Sequence, residues 1–572
     1  MYIKVTTNSA GQSYYHLVES YWENCKSRQR TLLSLGKESD GGLDRLITAI
    51  SRHREVMGIL DVAKSMDVKD TFIYGPLLIL EKLFSRFGVK AMLDVVAKGH
   101  PKLGFDLCKV VFTLVTCRFI RPGSKLKIFE HWQNKLYPEM IATDIQLHQI
   151  YRALDLLAKH KDQIERELFW QDRDLLNMEV DVVLYDLTTL RFESIREDLG
   201  ELRRFGYSKE MRTDCTQVVL GLLIDPEGIP LGFEVYPGNT FEGKTVGDIV
   251  EKMRSKFKVR RFIFVADRGI FSQKNLEEIR KKCGRGEEQG PGEFIVGMRL
   301  KVFRERHKEF YDLSRFKWIR EDLAVYETQH QQDRCIIIWS RVRAERDRQA
   351  REDILSKIRK KLSGRTVNAK TFVTNRNYQK YLTGLTEGQK PRLNEQAIAE
   401  EATKDGFFGM ITNVKDMPPE EIVHTYKNLW IIEDAFGEIK GTLKTRPFFH
   451  WTDRRIVGHL VLCFLAYLCE AQLTKALREK GFELDSRAID EGTIDSRSLT
   501  VVEAMRELCE VRAIPIKIRS KTIWVRTDIA GNAAKLFKAV GLKIPPKVLN
   551  LDEVQNSKIL LAQTHSVPAN PH

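Results

Sequence analysis

Apolar and polar positions alternate through "YIKVTT", "SYYHLVES" and "RTLLSLG", around the break "NSAGQ". This period of two predicts a small β meander over residues 1–40, with Lys and Arg on its polar side. From 41 to 172 the period lengthens to that of a helix, in "LDRLITAISRHREVMGIL", "GPLLILEKLFSRFGVKAMLDVVA", "FDLCKVVFTLVTCRFI" and "LHQIYRALDLLAKHKDQIERELF". Gly and Pro divide these runs, so the segment reads as a helical domain.

The pattern changes again near residue 180. "VDVVLYDLTTL" is a β-branched run of the kind a buried central strand shows, and "CTQVVLGLLID" and "IPLGFEVYPGN" follow it, joined by the turn "DPEG". A helix ("GKTVGDIVEKMRSKF"), a strand ("RFIFVADRG"), a second helix ("SQKNLEEIRKK") and a last strand ("EFIVGMRL") complete a mixed α/β series. Asp186 and Asp267 end apolar stretches of two of these strands, and the reading places both at strand ends, where open sheets hold ligands.

Further on, "YKNLWIIEDAFGEIK" (426–440) reads as one amphipathic helix. At about 100° per residue, Tyr426, Glu433 and Lys440 stack in one line, and Leu429, Ile432, Phe436, Ile439 and Leu443 form the neighbouring apolar arc. Glu433 therefore stands at the border between core and solvent.

Composition adds limits. The chain has 572 residues, 42% hydrophobic and 30% charged, as in a soluble globular protein of about four domains. Its net charge of +15, from 93 Lys plus Arg against 78 Asp plus Glu, favours a polyanionic partner, nucleic acid before membrane. Nine scattered cysteines, without CxxC or a zinc-ligand spacing, point to a reduced, cytoplasmic protein. The start has no signal-peptide pattern, and the apolar run within 457–468 reads as a buried helix, not a membrane span.

Carboxylates set among apolar residues need a cation. Asp186, Asp267 and Glu433 together offer the all-oxygen ligand set suited to Mg²⁺, and two such ions suit in-line phosphoryl transfer. A strand-end Asp in "DLTTL" alone also fits a phosphatase nucleophile, but that reading wants a later paired-Asp motif, which is not found in the expected place.

"YDLTTLRFE", "FVADRGIFSQKNL" and "YKNLWIIEDAFGEIKGTLKTRPFFHWTDRRIVGHL" resemble the three acidic motifs of the DDE transposases of bacterial insertion sequences. The subgroup is the one with a Tyr-x2-Arg-x3-Glu-x6-Lys signature. Tyr426, Glu433 and Lys440 match its spacing, whereas Leu429 occupies the Arg position; Arg299 or Lys427 is expected to supply that charge. The likeness spans about 175–475 and implies an RNase H-like catalytic domain (173–475) with a β-rich insertion at about 300–405. The 166 positions between Asp267 and Glu433, against 81 between the two Asp residues, leave room for the insertion.

The resemblance further implies that Asp186, Asp267 and Glu433 are catalytic and hold two Mg²⁺ ions, with Mn²⁺ able to substitute. It implies cleavage of double-stranded DNA at transposon terminal inverted repeats, strand transfer of the 3′-hydroxyl into target DNA, and a homodimer in the DNA complex. Tyr426 and Lys440 would hold phosphates. Thr188 would support the first Asp or touch the DNA backbone, or serve a structural hydrogen bond. Trp318 or Trp339 would hold a flipped base, or form the core of a small sheet. The basic stretch "REDILSKIRKKLSGR" is expected to face phosphate, and the helical domain either to pack or to read DNA. Residues 476–572 read as helix, strand pair and helix with a disordered tail. A catalytically inactive, transposase-derived DNA-binding protein remains the alternative.

Overall fold

The computed structural model describes residues 1–23, 26–37, 40–42, 44–48, 50–53, 66–67, 70–171, 181–197, 200–207, 214–257, 262–283, 292–363, 376–384, 390–446, 448, 450–484, 499–518 and 521–550. Parts of the expected helix at 43–60, the Pro447 position of the third motif and the tail after 553 lie outside them. The chain forms two units, one of Met1–Phe72, Arg512–Asp528 and Pro545–His572, the other of Ile73–Val511 and Ile529–Ile544.

In the first unit, β1 (Tyr2–Thr7), β2 (Ser13–Glu23) and β3 (Lys26–Lys37) form an antiparallel meander. The β1–β2 turn is set by Asn8, whose side-chain oxygen accepts from the backbone N–H of Ala10 at 3.0 Å and of Gln12 at 2.9 Å, with Gly11 at φ 75°. Asn favours such local bonds, and glycine takes positive φ without strain. Strands Arg512–Ile518 and Lys521–Arg526 pair as a hairpin beside the short strand Met66–Asp67.

The second unit begins with α1 (Gly75–Arg86), α2 (Val89–Lys98), α3 (Leu107–Ile120), α4 (Leu147–Lys159) and α5 (Lys161–Gln171). Two of the quoted runs are divided, one at a glycine as expected and one without Gly or Pro. Gly88 takes φ 60° between α1 and α2, and His160 separates α4 from α5. Asp106 caps α3 by accepting from Lys109 N at 2.9 Å, worth about 1 kcal/mol.

The sheet that follows explains the site. Its strands are β4 (Asp181–Arg191), β5 (Gln217–Ile224), β6 (Pro230–Pro237), β7 (Phe262–Ala266), β8 (Glu293–Met298), β9 (Lys317–Arg320), β10 (Leu323–His330), β11 (Asp333–Ser340) and β12 (Phe407–Thr412). Among the described residues they form one nine-stranded sheet in the order β9-β10-β11-β12-β8-β7-β4-β5-β6. β4, β5 and β6 are antiparallel neighbours, while β7 runs parallel to β4 and β8 parallel to β7. That five-strand arrangement, with β4 central, is the RNase H-like fold. The β-rich insertion does not make a separate small sheet, because β12 pairs antiparallel with both β8 and β11 and so extends the central sheet.

One face of the sheet buries Val183, Tyr185, Leu187 and Phe264 against Val246, Ile249 and Val250 of α6 (Val246–Phe257) and Leu276 and Ile279 of α7 (Gln273–Cys283). The insertion adds the 22-residue helix α8 (Arg341–Leu362), which begins directly after β11. On the other face, β4 meets α10 (Leu429–Gly437), which follows α9 (Pro419–Lys427). α11 (Asp453–Glu479) packs on β6, α3 and α4, with Phe464 and Phe233 rings 5.5 Å apart. α11 is long and apolar enough to cross a membrane, but 94% of its most apolar window is buried inside the protein, so it is a core helix.

The segment 426–440 is not one straight helix. Asn428, at ψ −6°, ends α9, and its N–H is shared between the carbonyls of His424 (3.2 Å) and Thr425 (3.3 Å). A π-helical turn then occupies Glu438–Thr442. Tyr426, Glu433 and Lys440 thus sit on three different pieces, and wheel angles drawn for one helix do not carry across them.

Candidate active site

The sheet register brings the first two carboxylates together. Parallel pairing of β4 with β7 ends at Tyr185↔Ala266, so Asp186 and Asp267 come next on neighbouring strands, whose backbones run about 4.8 Å apart. Asp186 is not at a strand end as expected: β4 continues to Arg191 because β5 still pairs with it, and it is β7 that stops. Tyr185 and Leu187 point into the core, where the Tyr185 hydroxyl donates to Thr245 Oγ1 at 2.9 Å. Alternation therefore turns Asp186 to the opposite face, the one α10 covers. Asp186 is half-buried and its Oδ1 accepts from Leu187 N at 2.7 Å.

α9 and α10 supply the other wall. Tyr426 donates its hydroxyl to Asp267 Oδ1 at 3.2 Å. Space for that phenol comes from Gly297 on β8, where a Cβ would stand 2.2 Å from the Tyr426 oxygen. Burial, and after it the Asp267 charge, raise the Tyr426 phenol above its ordinary value, so it remains a protonated donor. Glu433 is exposed on α10, while its neighbour Ile432 is buried.

Asp186, Asp267, Glu433 and Tyr426 line one cavity of about 710 Å³. Cations share its lining: Lys427, and Arg343 and Arg346 from the first turns of α8. Burial, and then the Arg320 charge, lower the Lys427 pKa. Leu429 is half-buried and lines the same cavity, not the core arc expected of it, because the break at Asn428 turns it toward the opening.

The remaining sequence-derived candidates lie around this cavity. Arg299 lines an adjoining cavity of about 790 Å³, which shares Asp267, Arg343, Phe408 and Tyr426 with the first. Thr188 is buried and lines a third cavity with Asn239 and Phe241. Lys440 lies half-buried in the π-helical turn and is not among the described residues lining the acidic cavity. Trp339 is half-buried on β11, edge-on to the exposed Trp318 at 5.5 Å, and lines none of these three cavities.

Sequence reasoning did not single out Arg343 and Arg346. The signal was the charged run "SRVRAERDRQ" (340–349), which holds both; further along α8 the 3 and 4 spacing of Arg343, Asp347, Ala350, Arg351 and Ile354 sets these residues along the adjoining cavity.

A second acidic cluster has a different character. Asp162, Glu165 and Glu234 have carboxylate oxygens within 4.8 Å of one another. Lys161 Nζ lies 2.9 Å from Glu234 and 3.2 Å from Glu165, Lys256 Nζ lies 2.6 Å from Glu165, and Lys252 Nζ lies 3.1 Å from Glu234. Three ammonium groups already balance three carboxylates, so this is an ion-pair network joining α5, β6 and α6 and has no charge left for a metal.

Comparison with known proteins agrees with the geometry. The family described as "Transposase DDE domain" matches residues 179–469, just over half of the chain, and "IS1634 family transposase, N-terminal domain" matches residues 3–57. A comparison with curated proteins finds no match. Among solved structures, a cryo-EM structure of a piggyBac transposase synaptic complex with hairpin DNA aligns over 87% of this chain and 87% of that one. Its identity is 8% and its TM-score 0.36, too low for the likeness to bear on the argument. The half-chain family match, with the N-terminal match beside it, shows that this chain belongs to the DDE transposases of insertion sequences.

Proposed function

We propose that this transposase cleaves double-stranded DNA at the terminal inverted repeats of its element and transfers the freed 3′-hydroxyl into target DNA, with Asp186, Asp267 and Glu433 as the catalytic carboxylates. Family membership carries the coarser part, a transposase enzyme that uses divalent metal. The observation that supports the finer part is that the three carboxylates line one cavity, with Asp322, beside the cationic Lys427, Arg343 and Arg346, although their oxygens do not all lie within 4.8 Å of one another.

The donor set fits hard cations, since every candidate ligand atom is a carboxylate oxygen. Asp186, Asp267 and Glu433 would hold two ions, Mg²⁺ in the cell with Mn²⁺ able to substitute. When bound, such ions activate water and stabilise charge on the phosphoryl oxygens. The chain's own residues do the rest. Tyr426 fixes the Asp267 carboxylate through its hydroxyl and stays a donor because its phenol is hard to ionise. Arg343, Arg346 and Lys427 place cationic charge where the DNA backbone enters, and take the part of the signature Arg that Leu429 replaces. Arg299 in the adjoining cavity, with Thr188, Trp339 and Lys440 beyond, would contact DNA farther from the scissile phosphate. The helical segment 41–172 would add DNA contacts, and a homodimer acting in the cytoplasm on the bacterial nucleoid would hold two ends.

The test is cleavage of labelled terminal-repeat DNA with Mg²⁺, using the intact protein and Glu433→Gln. Cutting by the first and binding without cutting by the second is the expected result. Binding without cutting by both would leave a transposase-derived DNA-binding protein, and cutting by both would remove Glu433 from the catalytic set.

A further inference from the structure

Within the second unit, the end of α3, the segment 122–127, residues 444–446 and His450 line a cavity of about 270 Å³ that the acidic site does not touch. Its floor holds four basic side chains almost out of solvent: Arg118 and Lys125 are each 3% exposed, His459 4% and His450 6%. Lys127, Lys444 and Arg446 complete the lining, and among the described lining residues there is no Asp or Glu. Burying cations without a counter-charge is costly.

Some of this charge has a structural task. Arg118 Nη1 donates to the carbonyls of Lys444 at 3.0 Å and Leu443 at 3.4 Å. His459 Nε2 donates to Thr445 O at 3.1 Å, which fixes the tautomer and leaves Nδ1 to accept from Lys125 Nζ at 2.7 Å. Those bonds pin the loop, but they do not use everything present. Arg118 Nε is buried and has no hydrogen-bond partner, and the Lys125 amine lines the cavity beside two imidazoles; burial, and then the Arg118 charge, lower the Lys125 pKa well below its ordinary value, so the amine holds its proton only weakly until an anion is bound. Burial, followed by the charges of Lys125 and Arg118, drives the His450 ring down to about 3, so the floor as it stands resists further protons.

We propose that this cavity is an anion site that takes a single phosphate group. A guanidinium with an unused N–H beside a lysine amine that an incoming anion would keep protonated is a donor set that recognises phosphate oxygens, and the anion supplies the counter-charge. The group has two sources, a phosphodiester of bound DNA or free inorganic phosphate. The first source rests on the DNA binding proposed above; the second does not.

The experiment titrates the full chain with inorganic phosphate, followed by ³¹P NMR line broadening, and with duplex DNA across a salt series. The variants are the rim pair Lys127→Gln with Lys444→Gln, both exposed and so neutral to folding, and the floor variant Lys125→Met, each checked by its melting temperature. Saturable uptake of one phosphate per chain, weakened about tenfold or more in the rim pair, supports the free anion. No uptake of phosphate, but a weaker DNA affinity in the rim pair and a log–log salt slope smaller by about one, supports the phosphodiester. Phosphate uptake by a protein that binds no DNA keeps this proposal and sinks the preceding one. Folded rim and floor variants that match the intact chain in both titrations overturn it.

Discussion

Gly297 is the position where a single methyl group tests the site's construction. A Cβ there would meet the Tyr426 oxygen at 2.2 Å, the backbone nitrogen of Arg268 at 2.9 Å and Tyr426 Cζ at 3.1 Å. The first contact is far inside van der Waals range, so in Gly297→Ala the phenol must swing away from β8 and release Asp267 Oδ1, which it now meets at 3.2 Å. Overpacking of this kind costs about 1–3 kcal/mol. Tyr426→Phe removes the oxygen that suffers the worst contact and leaves the two longer ones. The double variant should therefore be more stable than Gly297→Ala alone, with a coupling of about 1 kcal/mol or more in a urea-melt cycle. Cleavage should fall in each single variant and fall little further in the double, because both act on the same bond between Tyr426 and Asp267. Additive stabilities, or additive losses of cleavage, would refute the placement of Tyr426 against Gly297.

Two further outcomes follow from charge. Replacing Arg343 and Arg346 by Ala should weaken DNA binding and lower the salt slope by about 0.9 for every phosphate no longer neutralised, measured by fluorescence anisotropy in a salt series from about 50 to 200 mM; an unchanged slope would show that these arginines do not meet phosphate. Burial, and then the Glu438 charge, push the Glu470 carboxyl up to about 8, although Thr474 Oγ1 donates to it at 2.9 Å. A folded value above the unfolded one, about 4.3, means full stability from this group at low pH and progressive loss as pH rises through 8. Glu470→Gln should therefore gain nothing at pH 4 and raise stability at pH 9 in urea melts, and equal shifts at both pH values would contradict the assignment.

Much of the fold was legible because buried strands leave a strong mark. The β-branched run around Asp186, the "DPEG" turn and the alternation of helix and strand through Met298 suffice to give a central sheet with an acidic residue on each of two neighbours. What stayed hidden depended on backbone events with weak sequence signals. A wheel cannot foresee that Asn428 ends α9 or that Glu438–Thr442 adopts a π-helical turn, and those events decide where Leu429 and Lys440 point. Nor does a period of two tell which sheet a strand joins, so the expected β-rich insertion carried no sign that β12 would tie its strands to β8. Arg343 and Arg346 were hidden in a helix so charged on every side that no face stands out.

The burial of α11 also bears on how the chain is made. This helix covers surface on β6, α3 and α4, all of which precede it in sequence. At roughly 5–20 residues per second, translation needs on the order of 20–90 s to reach Asp453. Throughout that interval the apolar faces that α11 will cover have no permanent partner. Folding of the second unit is then completed from its C-terminal side, and a nascent chain halted before α11 should be a strong client for chaperones, whereas one released after Ile544, where the second unit ends, should not.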